Sequence, residues 1–128
     1  KGAYLNNSRI RVSNKSDLKN TCLVTGGPKF TSEKREFIFK EYHKVSTGVR
    51  AHIRKSGSAA LDLAYVAAGR YDGFWQREIN YWDIAAGIIL LRESGGFISS
   101  LNGDDFTQKK IDIIATNSKI YKELKGLL

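Results

Sequence analysis

A single carboxylate is the residue of this chain best placed for chemistry. In Tyr81-Trp82-Asp83-Ile84-Ala85-Ala86-Gly87-Ile88-Ile89-Leu90-Leu91-Arg92-Glu93-Ser94-Gly95-Gly96, Asp83 stands at the mouth of a helical run that is otherwise apolar and ends in two glycines. A carboxylate at that place accepts from orphan backbone N–H groups and suits the positive end of the helix dipole, so a cap explains it without catalysis. The same oxygen is also a ligand for a hard divalent cation, which takes oxygen donors in near-octahedral array. Residue type alone leaves both readings open.

Gly57-Ser58-Ala59 opens another helix, where free N–H groups can meet an anion or a sugar hydroxyl; glycine and serine also simply begin helices. The other polar candidates are weaker. His43 and His52 have no Ser, Cys or Asp partner at a recognisable spacing and read as surface or strand histidines. Gly26-Gly27-Pro28-Lys29 lacks the Gly-Lys-Ser/Thr ending of a phosphate loop and reads as a turn. Asp62 and the pair Asp104-Asp105 read as solvated or capping residues.

These residues need a scaffold, and the chain predicts one. Asn6-Asn7 between Tyr4-Leu5 and Ile10 to Val12 predicts a hairpin over Ala3 to Val12, since asparagine tolerates positive φ. Cys22 to Thr25 is a compact strand broken by Gly26-Gly27-Pro28. Thr31 or Ser32 then caps a helix reaching about Tyr42, with Phe37, Ile38, Glu41 and Tyr42 at helical spacing. Val49, Ala51 and Ile53 alternate with Arg50, His52 and Arg54 as in a half-buried strand. An Ala-rich helix follows from Ser58 to Gly69, where glycine suits the left-handed position past a helix end. Asp72 to Trp75 predicts a strand, then a polar link to the Asp83 helix, a strand over Gly96 to Ser99, a turn at Asn102-Gly103-Asp104-Asp105, a strand over Ile111 to Ala115, and a last helix capped by Asn117 or Ser118. Strands alternating with helices make an α/β sheet with helices on its faces.

Composition sets the outer bounds. The 128 residues, 41% apolar, suffice for one domain with a real core. No apolar run reaches the roughly 18 residues of a membrane span, and no charged-then-apolar leader is present, so the chain reads as cytoplasmic. Cys22 is the sole cysteine and reads as a small buried thiol, excluding a disulfide framework or zinc site from the reading. The net charge of +8 suits an anionic partner, but the cations are spread along the chain in small clusters at Lys34-Arg35, Arg50 to Lys55 and Lys109-Lys110. A solvated surface accounts for that distribution.

The run from Tyr81 to Gly96 resembles the second signature of the inositol monophosphatase family, Mg²⁺-dependent, lithium-sensitive phosphomonoesterases. The resemblance extends over nearly the whole chain, from Lys1-Gly2-Ala3-Tyr4-Leu5-Asn6-Asn7 through Ile53-Arg54 and Gly57-Ser58-Ala59-Ala60-Leu61-Asp62-Leu63-Ala64 to Ile114-Ala115-Thr116-Asn117. It is strongest to the bacterial extragenic-suppressor type. The family's first signature, Asp-Pro-Ile/Leu-Asp-Gly-Thr, and the acidic helix before it are absent; the only proline is Pro28. Residues 1–128 therefore look like the C-terminal α/β half of such a phosphatase, a layered sheet with helices on its faces, without the N-terminal metal-binding half.

The resemblance implies that Asp83 is a ligand of Mg²⁺, whose remaining ligands belong to the other half. It implies that Gly57, Ser58 and Ala59 line the polyol side of a substrate pocket for inositol phosphate or a related sugar or polyol phosphate. Gln76 holds the position, seven residues before Asp83, that is usually Glu in relatives binding inositol, so a neutral amide oxygen stands where they have a charged acceptor. Phe74, Trp75, Tyr81 and Trp82 can stack on bases; in this pattern they wall the cleft and a subunit contact. The expected partners are the N-terminal half and a second copy. The other reading, a non-catalytic protein- or RNA-binding module, follows from the association of bacterial relatives with transcription and ribosomal-RNA processing.

Overall fold

The computed structural model describes residues 1–103, 106 and 109–128, so the predicted turn at Asn102 to Asp105 lies partly outside the described residues. The hairpin forms: β1 (Tyr4–Leu5) pairs antiparallel with β2 (Ser8–Arg9). Asn6 and Asn7 between them sit at φ 51° and 69°, the left-handed pair that a two-residue turn needs.

The rest of the chain runs β3 (Cys22–Thr25), α1 (Arg35–Gly48), β4 (His52–Arg54), α2 (Ala59–Ala67), β5 (Gly73–Asn80), a 3₁₀ turn (Tyr81–Asp83), α3 (Ala85–Glu93), β6 (Phe97–Ser100), β7 (Lys110–Thr116) and α4 (Tyr121–Leu127). The five strands β3 to β7 form one mixed sheet in the order β4-β3-β5-β7-β6. β3 is parallel to both its neighbours, and β7 is antiparallel to both of its own.

Strand alternation sends side chains to opposite faces. Val24, Phe74, Ile113 and Ala115 pack with Leu63 and Val66 of α2 and Ile88 and Leu91 of α3. Leu23, Trp75 and Ile114 pack on the other side with Val45 of α1 and Leu124 of α4. Two helical layers thus cover the two faces of the sheet, as the sequence predicts. Gly87 brings α3 against α2, because a Cβ there would overlap the Leu63 side chain. No helix among the described residues is long and apolar enough to cross a membrane.

The structure corrects several boundaries. α1 begins at Arg35 and runs to Gly48, because fully buried Val45 extends the stripe begun by Ile38 and Glu41. Ser32 does not cap it; its hydroxyl accepts from Lys34 N at 3.1 Å in the turn before. β4 is only three residues. β5 continues through the predicted polar link to Asn80, since β7 lies alongside it as far as Lys110. Asn117 Oδ1 accepts from Lys119 N and Ile120 N, so it caps the turn that leads into α4 rather than α4 itself. Cys22 is half-buried rather than buried.

Candidate functional site

Three elements converge on a cleft of about 430 Å³. The start of α2 contributes Gly57 to Ala60, β5 contributes Gln76 and Ile79, and the 3₁₀ turn contributes Trp82 and Asp83. The five residues marked by the sequence, Gly57, Ser58, Ala59, Gln76 and Asp83, thus line one cavity.

The α2 wall follows from local chemistry. Ser58 is extended, with φ −132°, and its hydroxyl accepts from Leu61 N at 3.3 Å, the ordinary serine N-cap. Gly57 sits at φ +86° with open space where a Cβ would be, so backbone freedom rather than crowding calls for glycine. Behind this wall Asp62 is buried at 1% exposure, which corrects the expectation of a solvated carboxylate. The Ser56 hydroxyl donates to Asp62 Oδ1 and accepts from Ser58 N at 3.3 Å, so Asp62 holds the 56–58 segment in shape. Burial pushes the Asp62 carboxyl above its ordinary 3.8, and the Ser56 hydrogen bond opposes that rise.

Asp83 does not cap α3. It ends the 3₁₀ turn, α3 starts two residues on, and neither helical element carries a side-chain cap hydrogen bond. Ile84 N satisfies itself on Tyr81 O at 3.0 Å. The ion pairs among the described residues are Glu36 with Lys40, and Arg77 with Glu41 and Asp112, so Asp83 takes part in none of them. An exposed carboxylate facing a cleft with its oxygens unspent is available to a ligand. As a Mg²⁺ ligand it fits as one oxygen donor only: among the described residues no group of three or more His, Cys, Asp or Glu could hold a metal ion. A complete site needs donors from elsewhere.

Gln76 has a partner that the sequence did not suggest. A Cβ on Gly26 would overlap the Gln76 carboxamide, so Gly26 leaves the space in which that amide lies. Directly after Gln76, β5 bulges: the register with β7 shifts between Gln76 and Ile79, and Glu78 takes φ 57°. Arg77 fixes the bulge. Its Nε and Nη2 donate to Glu41 at 3.2 and 2.5 Å and its Nη1 to Asp112 at 3.3 Å, while Glu78 N donates to Asp112 Oδ1 at 2.8 Å. Burial works against the guanidinium's charge, but the hydrogen bond to Glu41 and the charges of Glu41 and Asp112 outweigh it and raise its pKa. Arg77, Glu41 and Asp112 carry no sequence signal of their own, because their pairing depends on residues on three different elements.

The aromatics divide. Trp82 is 62% exposed at the cleft, whereas Phe74 and Trp75 are core residues on opposite faces of the sheet and do not line this cleft. His43 and His52 are both exposed.

These features make an α/β domain whose sheet is covered on both faces and whose polar cleft joins a helix start, a bulged strand and an Asp that enters none of the ion pairs among the described residues. The chain belongs to the inositol monophosphatase family, whose model it matches over residues 1–128. It is 41% identical over 123 residues to an inositol-1-monophosphatase of Mesorhizobium japonicum, covering 96% of this chain and 46% of that one. It is likewise 41% identical over 126 residues to the Nus factor SuhB of Pseudomonas aeruginosa, covering 97% and 46%. Among solved structures, the extragenic suppressor protein SuhB of Bartonella henselae superposes with a TM-score of 0.87 at 42% identity, covering 98% of this chain and 48% of the other. The chain spans about half the length of the curated relatives it matches.

Proposed function

We propose that this chain is the C-terminal, substrate-facing part of a cytoplasmic, Mg²⁺-dependent phosphomonoesterase acting on inositol 1-phosphate or a related sugar or polyol phosphate. The observation that carries the reading is the shared cleft, in which an unpaired carboxylate at Asp83 faces the α2 start and Gln76. Bound Mg²⁺ supplies neutralisation of phosphate charge and activation of water. Asp83 contributes one ligand oxygen, and residues beyond these 128 contribute the others. The Gly57-Ser58-Ala59 segment offers helix-start N–H groups to an anion or hydroxyl. The Gln76 amide oxygen accepts from polyol hydroxyls, more weakly than a carboxylate would. Ile79 and Trp82 wall the cavity.

Exposed apolar side chains on α2, the 3₁₀ turn and α3 support a partnered state. Leu61, Trp82 and Ile89 are 44%, 62% and 65% exposed, and apolar surface of that kind is normally covered. We assign its cover to the remainder of the enzyme and the subunit contact to a second copy.

The test is Asp83→Asn in the longer polypeptide that spans the relatives' full length. Turnover of inositol 1-phosphate falls by orders of magnitude while the melting temperature without metal barely moves. Near-normal turnover in the variant would remove Asp83 from the metal.

A protein- or RNA-binding module is the second reading, favoured by one surface feature. Arg35 lies 5.3 and 4.9 Å from the ring centres of Phe30 and Phe39, and Lys55 lies 5.3 and 4.4 Å from those of Phe39 and Tyr42. Alternating cations and aromatic faces suit single-stranded nucleic acid. Salt-sensitive RNA binding that survives Asp83→Asn and is lost on Arg35→Ala would favour it.

A further inference from the structure

The two edges of the five-stranded sheet are treated differently. β4 at one edge is short, and His52 and Arg54 on it are exposed between Arg50 and Lys55, the charged blunting that prevents stray strand pairing. β6 at the other edge, Phe97-Ile98-Ser99-Ser100, carries no charge and no proline, and its register with β7 is unbroken. Phe97 is 53% exposed. Leu101 N donates to Asp112 O, which sets the phase of the antiparallel ladder. Phe97 and Ser99 therefore bond to β7, and Ile98 and Ser100 turn their backbone groups outward. No strand lies beyond β6 among the described residues.

Beside this edge runs a groove of about 450 Å³ between β6 and α4. Its floor is Phe97 and Ser99, held by Tyr121: the rings of Phe97 and Tyr121 meet edge to face at 5.7 Å, and Ser99 Oγ lies 2.6 Å from the Tyr121 hydroxyl. Its rim carries the exposed cations Lys119 and Lys122. An edge strand with outward backbone groups beside an apolar groove under a helix is the arrangement by which strand addition captures extended peptides. Backbone hydrogen bonds give affinity, and alternate side chains enter the groove.

We propose that β6 and this groove are the docking site for an extended acidic segment of a partner protein, which joins the sheet as a sixth strand. Charge decides the occupant. A second copy pairing through its own β6 would set Lys119 and Lys122 of both copies against each other, whereas acidic flanks meet them favourably. The four residues of β6 span about 13 Å, so the inserted segment is about four residues long.

The test uses the full chain and two synthetic peptides with one alternating valine–threonine core, one flanked by aspartates and the other by lysines. Binding is read by fluorescence anisotropy and by hydrogen exchange at the Ile98 amide. The acidic peptide binds and protects Ile98. The lysine-flanked peptide and an acidic peptide N-methylated at alternate residues do not bind. Reversing both exposed lysines, Lys119→Glu with Lys122→Glu, weakens the acidic peptide about tenfold without changing the melting temperature. No binding by the acidic peptide, equal binding by both peptides, or binding that leaves Ile98 unprotected would overturn the proposal. So would self-association through β6, detected as Ile98 protection that rises with protein concentration when no peptide is present.

Discussion

Gln76 and Arg77 are adjacent in β5, yet they belong to opposite kinds of polar site. Gln76 opens into a cleft where the neighbouring carboxylate, Asp83, enters none of the ion pairs among the described residues. Arg77 lies in a closed network, its guanidinium shared between Glu41 and Asp112 with side-chain exposures of 9% or less. A buried charge cluster persists only when each member is paired, because unpaired buried charge costs several kcal/mol. An exposed carboxylate carries no such cost and can wait for a ligand. One region is spent on holding the backbone in place; the other keeps its donors and acceptors free.

Substitution separates the two regions. Asp83→Asn costs turnover rather than stability. Arg77→Ala does the reverse: it strands Glu41 and Asp112 in the interior and destabilises by about 3–5 kcal/mol in urea unfolding. A loss under about 1 kcal/mol would mean that water already satisfies the carboxylates and that the closed network is not what fixes the bulge.

Between those extremes lies Gln76→Glu, which restores a charged acceptor for ring hydroxyls. Charge-assisted hydrogen bonds exceed neutral ones by about 1 kcal/mol, so the kcat/KM ratio of inositol 1-phosphate to glycerol 2-phosphate rises roughly fivefold. Comparing two phosphorylated substrates cancels the common repulsion of phosphate. An unchanged ratio would place Gln76 off the polyol. Gly26→Ala, which intrudes on the Gln76 carboxamide, lowers the same ratio's response to Gln76→Glu.

The smallest effect concerns Asp62. Its carboxyl is raised above 3.8 by burial, so the folded protein binds a proton that the unfolded chain has already lost. The resulting stabilisation is full below about 3.8, and it is lost as pH rises through the elevated folded value. Asp62→Asn keeps an acceptor for Ser56 and removes the titration. Unfolding free energy then loses its acid-side rise in that window and changes by about 1 kcal/mol or less at neutral pH. An identical pH profile in wild type and variant would show that burial does not raise the Asp62 carboxyl above its unfolded value.

Features set by adjacent residues were legible in the sequence. Asn6-Asn7 makes its turn, Ser58 caps its helix and Gly69 takes φ +78° past the end of α2. Gly57, Ser58, Ala59 and Asp83 were legible as candidates because the helix start and the Asp83 turn are themselves local features. What escaped depends on distant partners. Gln76-Arg77-Glu78 reads as a polar link because its strand character comes from β7, and Arg77 finds Glu41 and Asp112 at separations of 36 and 35 residues. Asp62 looks solvated in sequence and is buried only because the 56–58 segment folds back over it. The burial of a lone polar side chain and long-range ion pairing leave no periodic trace.

We propose that these 128 residues supply one side of a shared active site. Phosphate release from inositol 1-phosphate, at millimolar Mg²⁺, by the homogeneous chain with and without the segment that completes the relatives' length tests it most directly. The chain alone releases phosphate at background, and addition of the segment restores turnover that Asp83→Asn abolishes. Robust Mg²⁺-dependent turnover by the 128-residue chain on its own would contradict the claim.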